Sequence, residues 1–192
     1  MKRLPVLATL VVAAACAAMI GLGLWQLRRA AWKNGLIETY AAAQRLPPMA
    51  YPATPDPKDL PLFRRAYGNC LFVTRWDATS GRNTAGESGW VHVARCATGA
   101  EGPGLSVVAG WSREPGTPRW QGGLAGGTIA GDPETLIRLV SDRPLAPGLV
   151  AAAPPDLAEI PNNHFAYAVQ WFLFAAAAAA IYLLALWKRA KP

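Results

Sequence analysis

"NNHFAYAVQWFLFAAAAAAIYLLALW", residues 162–187, decides what kind of protein this is. Its last 23 positions, Phe165 to Trp187, contain no acidic or basic side chain. As a helix they span roughly 35 Å, enough to cross a hydrocarbon core of about 30 Å with some tilt. A second run, Pro5 to Leu27, also has 23 residues and no charge. A buried helix of that length in a soluble protein normally shows a polar face, and neither run does. Both are read as transmembrane helices. For the first, a cleaved signal peptide is the rival reading, because "MKRLPVLATLVVAAACAAM" has a basic start and an apolar centre, and "AAAC" at 13–16 faintly resembles a lipoprotein cleavage site. The apolar run continues past Cys16 through "MIGLGLWQL", which favours a retained anchor.

The net charge of +7 is concentrated on short tails: Lys2 and Arg3 precede the first run, and Lys188, Arg189 and Lys191 follow the second. Between Arg28 and Pro161 the chain is nearly balanced, with fourteen basic and twelve acidic residues. That distribution gives no support to nucleic-acid binding. Basic short tails stay cytoplasmic while a long loop is translocated despite its own charges. Both termini are therefore expected inside, and the middle of the chain outside. Cys70 and Cys96 both fall in the exported segment, where oxidation is permitted. Whether they pair is left open by the sequence. Cys16 reads as a packing residue in the first helix.

The chain organises as a tail (1–4), a first transmembrane helix (5–27), a helical extension and Pro-rich linker (28–61), an exported β-rich domain (62–161), a second transmembrane helix (162–187) and a tail (188–192). "RRAAWKNGLIETYAAAQRL" keeps helical spacing to Leu46, and six prolines follow between 47 and 61. From Phe63 the pattern is that of strands: "AYGNCLFVTRW", "SGWVHVARCA", "GLSVVAGW" and part of "TIAGDPETLIRLVSD". The stretches "DATSGRNTAGE" and "REPGTPRWQGGLAGG" read as loops. The expected fold is thus two transmembrane α-helices flanking a small, mainly antiparallel β extramembrane domain with at most one short helix (α+β).

The exported domain is poor in catalytic groups. His92, in "GWVHVAR", is its one histidine and reads as a strand residue bonded to a neighbour. Ser106, Ser112 and Ser141 lack a G-x-S-x-G setting. Gly122, Gly123, Gly126 and Gly127 lack the lysine and spacing of a phosphate loop. The helix ends are richer. On a helix, His164, Tyr167, Ala168 and Trp171 share a face, bordered by Asn163. Capping by Asn162 or Asn163 and interfacial anchoring by Trp171 are ordinary roles, but a histidine at the edge of lipid calls for a partner or a function. With both termini inside, Trp25 and Gln26 fall near the depth of His164 and Tyr167, and Gly21 and Gly23 allow close approach there. A neutral imidazole in an aromatic pocket beside Arg28 and Arg29 describes a haem site, with His164 on iron and the guanidiniums on propionates. A histidine that only bonds to the neighbouring helix fits the same residues.

"GLWQLRRAAWK" (23–33) and "IPNNHFAYAVQWFLFA" (160–175), each at a helix end, resemble the Surfeit-locus family of cytochrome c oxidase assembly proteins. "FRRAYGNCLFV" (63–73) and "LSVVAGWSREPG" (105–116) are similar to its weaker internal motifs, whereas "GWVHVARCATG" departs from them. The resemblance implies an assembly factor, not an enzyme, that serves the oxidase core subunit together with other assembly factors. It places the protein in a bacterial inner (cell) membrane, in contact with lipid, with the central domain periplasmic. It further implies haem a binding at the outer membrane face, with His164 as the family's histidine, Trp25 and Gln26 as its Trp-Gln pair, and Asn162 and Asn163 as its twin asparagines. Tyr167, Trp171, Arg28 and Arg29 complete the candidate site. The alternative is a membrane scaffold that stabilises an oxidase assembly intermediate without binding haem. A haem-modifying enzyme is the third class, disfavoured because such enzymes need more helices or more buried ligands.

Overall fold

A computed structural model describes residues 5–99 and 102–190. The tail residues Lys2, Arg3 and Lys191 lie outside them. The chain divides into two compact units: a helical one, built from the sequence up to Ile37 and from Ile160 onward, and a β unit, Glu38–Glu159.

In the helical unit, α1 (Val6–Ala43) is a single helix of 38 residues whose apolar run passes without a break into the charged extension. Its last turn belongs to the β unit. The second helix, α2, spans His164–Ala190. Both are long and apolar enough to cross a membrane, and their large apolar side chains are exposed: Leu7, Leu10, Ile181 and Leu183 among others. A surface of that kind is covered by lipid rather than water. This is a membrane protein with two apolar helices flanking a sheet domain.

Small residues bring the helices together. Ala168 and Ala175 are buried along one stripe of α2, and Gly23 is the buried residue of α1. A Cβ on Gly23 would lie 2.6 Å from the Phe172 ring, so the phenyl group fits only because the glycine has no side chain. Gly21, read from the sequence as a second contact glycine, has nothing within 4 Å. Lower in the pair, Cys16 Sγ reaches the Ala175 carbonyl at 3.6 Å and Thr9 Oγ1 shares a hydrogen bond of 2.6 Å with the Tyr182 hydroxyl. Each link satisfies a polar group that lipid cannot.

The β unit holds one seven-stranded sheet in the order β1-β2-β6-β7-β5-β4-β3. The strands are β1 (Met49–Ala50), β2 (Arg65–Cys70), β3 (Phe72–Arg82), β4 (Ser88–Ala97), β5 (Leu105–Ser112), β6 (Gly123–Asp132) and β7 (Leu136–Ser141). Four of the six pairings are antiparallel; β1–β2 and β5–β7 are parallel. β5, "LSVVAGWS", is buried on both faces for nearly its whole length, as a continuous apolar run in a central strand should be. One face carries a core of Leu105, Val107, Ile129, Ile137 and Leu139; the other carries Val91, Val93, Val108, Trp111 and Val140. The sheet curls so that Leu71 N–H reaches the Ala97 carbonyl, and Cys70 and Cys96 form a disulfide with Cα atoms 5.2 Å apart.

Three sequence expectations need correction. "AYGNCLFVTRW" is two strands, not one: the chain turns at Leu71, and β2 pairs with β6 while β3 pairs with β4. Asp77–Arg82, read as loop, extends β3, and the hairpin turn is confined to Asn83–Glu87, where Asn83 Oδ1 accepts the Ala85 and Glu87 amides. The glycine-rich stretch from Gly123 is β6 itself. A Cβ on Gly127 would collide with the Val140 carbonyl of β7, so this glycine serves close backbone approach rather than flexibility.

Arg95 organises the polar side of this unit. Its guanidinium contacts Asp77 at 2.8 Å, Asp132 at 3.0 Å and the Ser106 hydroxyl at 2.8 Å. Burial pushes the Asp132 carboxyl up, but hydrogen bonds from Arg95 and from the Thr135 and Glu134 amides outweigh it and hold the group below its ordinary value. Asp77 is likewise depressed: burial raises it, and Arg95 and Arg75 more than reverse the effect. A depressed carboxyl stabilises the fold above its unfolded value, near 3.9, and loses that contribution as pH falls through the folded one.

Two outcomes are expected. Gly23→Val should weaken helix pairing by about 1–3 kcal/mol while Gly21→Val stays near neutral, measured as reversible unfolding in mild detergent. Asp132→Ala should cost the β unit about 1–3 kcal/mol, because Arg95 loses its most buried partner and the Glu134 and Thr135 amides lose their acceptor, and should flatten the acid-side loss of stability below about pH 4 seen for the wild type in circular dichroism.

Candidate functional site

The start of α2 and the stretch of α1 from Gln26 to Asn34 belong to the same helical unit, and two side-chain hydrogen bonds join them. His164 is the first residue of α2. Asn163 precedes it, and its carbonyl accepts the Tyr167 amide, so Asn163 occupies the N-cap position. Asn162 is not the cap. Its Nδ2–H donates to Asn34 Oδ1 at 2.7 Å, and its own Oδ1 is buried without a partner. Asn34 carries no signal in the sequence that singles it out, because a lone asparagine in a helical extension usually faces water.

His164 Nδ1 lies 2.7 Å from Gln26 Oε1. With the amide oxygen as acceptor, Nδ1 carries the proton and Nε2 keeps its lone pair. That arrangement is how proteins orient a metal-ligating histidine: one ring nitrogen is fixed by a neighbour, leaving the other basic and directed. The same bond also serves as a plain helix-to-helix link.

The other candidate residues spread around this centre. Ala168, one turn on, is fully buried, whereas Tyr167 is half-exposed and turns away from that buried stripe. Trp25 is half-exposed, with the Arg29 guanidinium 6.0 Å from its ring centre. Arg29 lies closer to Trp32, at 4.8 Å, which Lys33 also approaches at 5.9 Å. The sequence reading assigned Arg29 to a propionate and did not anticipate this cation–π ladder. Arg28 is exposed. Trp171 packs edge-on against Phe174, with ring centres 6.2 Å apart. The structure thus joins His164 to Gln26 and Asn162 to Asn34, and leaves Trp25, Tyr167 and Arg28 on open surface beside them.

Among the described residues no group of three or more His, Cys, Asp or Glu can hold a metal ion. No such group surrounds His164. The second histidine, His92, is not available: it is buried in β4, and its Nε2 lies 2.7 Å from Ser112 Oγ. Ser112 donates its own proton to the Glu114 carbonyl, so Nε2–H is the donor to Oγ. Burial lowers the His92 pKa and keeps the ring neutral.

No curated protein matches the chain significantly. The family model described as the SURF1 family matches residues 13–176, from within the first helix to the middle of the second. The chain therefore belongs to the SURF1 family, which is associated with cytochrome c oxidase assembly.

Proposed function

We propose that this protein acts in cytochrome c oxidase assembly by holding haem a at the helix ends and releasing it to the oxidase core subunit. The observation that carries the reading is the His164 Nδ1 contact with Gln26 Oε1 at 2.7 Å, which leaves Nε2 as a directed lone pair. When bound, the haem would supply an iron centre, and His164 is the residue that would hold it. Everything else is the work of the chain. Gln26 fixes the ring and its tautomer, and Asn34 anchors Asn162, two residues before the histidine. Half-exposed Trp25 and Tyr167 offer flat apolar faces to a macrocycle, and exposed Arg28 suits a propionate. Arg29 reaches a propionate only by leaving Trp32. A single protein ligand suits a carrier, since few bonds must break at release. On this reading the site lies at the outer face of a bacterial inner membrane and the β unit is periplasmic, where it meets the nascent oxidase and other assembly factors.

The test is an absorption spectrum of the detergent-purified full chain from cells that make haem a. Wild type should show a haem a band, His164→Ala should lose it, and Gln26→Ala should retain it with affinity lowered about 10-fold, the usual cost of an orienting partner. No band in the wild type would favour the scaffold reading, in which the histidine only links two helices.

A further inference from the structure

Arg138 in β7 is a half-buried cation for which oxidase assembly and the helix-end site have no use. Four other arginines on or beside the sheet have acids: Arg65 has Asp142, Arg75 has Asp77 and Glu134, Arg95 has Asp77 and Asp132, Arg113 has Glu87. Among the described residues Arg138 has none within ion-pair distance, and its Nε is buried without a hydrogen bond. The acid that influences it, Asp132, is already committed to Arg95 and to two backbone amides. Burial pushes the Arg138 guanidinium below its ordinary value, and Asp132 offsets only part of that. A half-buried charge without a counter-charge is costly and persists where something else supplies the charge.

Arg138 lines a cavity of about 240 Å³ on the face of the sheet opposite Ile137 and Leu139. The floor is apolar: Val91, Val108, Val140 and Ala152. The wall adds Arg82, an exposed cation without a side-chain partner among the described residues, the Thr79 hydroxyl, and one acid, Glu159. Two cations and one acid leave a single positive charge, which matches a monoanion. A phosphate would bring a second negative charge toward Glu159 and set hydrated oxygens against valines. A carboxylate has two oxygens for a guanidinium and a carbon substituent for the floor.

We propose that this pocket binds an organic carboxylate bearing a short apolar chain, with the carboxylate on Arg138 and the chain over Val91, Val108 and Val140. Such a group is presented either by a free short-chain acid or by the C-terminus of a peptide. The two sources share the chemistry and differ in what lies beyond the first few carbons.

The full chain in detergent is melted with hexanoate, hexanamide, and N-acetyl-Ala-Val as free acid and as amide. At saturation at least one of the two acids should raise the melting temperature by about 3 °C or more, and neither amide should. A larger shift with the dipeptide acid assigns the site to chain termini, and a larger shift with hexanoate to free acids. Arg138→Met should abolish the shift and raise the melting temperature of the ligand-free protein, since it removes an unpaired buried charge. Ala153→Leu, at the pocket wall, keeps Arg138 but should at least halve the hexanoate shift. The proposal is overturned if no acid shifts the transition, if the amides shift it equally, or if Arg138→Met lowers the ligand-free melting temperature, which would make Arg138 a structural cation.

Discussion

Lipid offers no hydrogen bonds, and that constraint shapes the helical unit. A polar side chain set into an apolar helix gains from a partner on the other helix or on its own backbone. Thr9 meets Tyr182, Cys16 meets the Ala175 carbonyl, Gln26 meets His164, and Asn34 meets Asn162. These links follow the two helices along their length and fix their register. Dispersion between small residues supplies the closeness; Gly23 beneath the Phe172 ring is the tightest case. The candidate site grows out of the same constraint: a histidine is tolerated at the end of α2 because α1 brings a glutamine to it.

The β unit answers a different solvent. Water covers its outside, so its order comes from burial and from a polar hub. β5 and β7 run parallel through the centre and are covered on both faces, while Arg95 gathers Asp77, Asp132, Ser106 and Thr135 from four other points of the chain. A hub of this kind contributes little net energy compared with an apolar core, yet its loss leaves a charge stranded. The disulfide between Cys70 and Cys96 ties the end of β2 to the end of β4, strands that are not neighbours in the sheet order. It therefore braces the curl of the sheet.

How much of this can be read from sequence depends on the range of the interaction. The two helices are legible because their signal is local and one-dimensional: more than twenty consecutive uncharged residues. The strand residues at Ser88–Ala97 and Leu105–Ser112 are legible for the same reason. The break at Leu71 is not, because "GNCLFV" is apolar on both sides of it and only pairing with β6 and β4 separates the halves. Nor is β6, whose glycines look like a loop until Val140 is placed against Gly127. In the site, His164 and Gln26 are each conspicuous by chemistry, while Asn34 becomes informative only through its contact 128 residues away.

The two histidines show why geometry must follow residue type in assigning function. His92 sits in the middle of β4, gives its Nε2 proton to Ser112 Oγ, and is walled in by the sheet. Its environment favours the neutral ring and gives the ring no route to a ligand, so burial there is the end of the argument. His164 is also held by one hydrogen bond of 2.7 Å, but it stands at a helix start with partial exposure, and the bond engages only Nδ1. The difference is one of geometry. It lies in which nitrogen is consumed and what the other one faces. A ring oriented by an amide on a neighbouring helix keeps its second nitrogen uncommitted at the edge of lipid, which a ring walled in by a sheet does not.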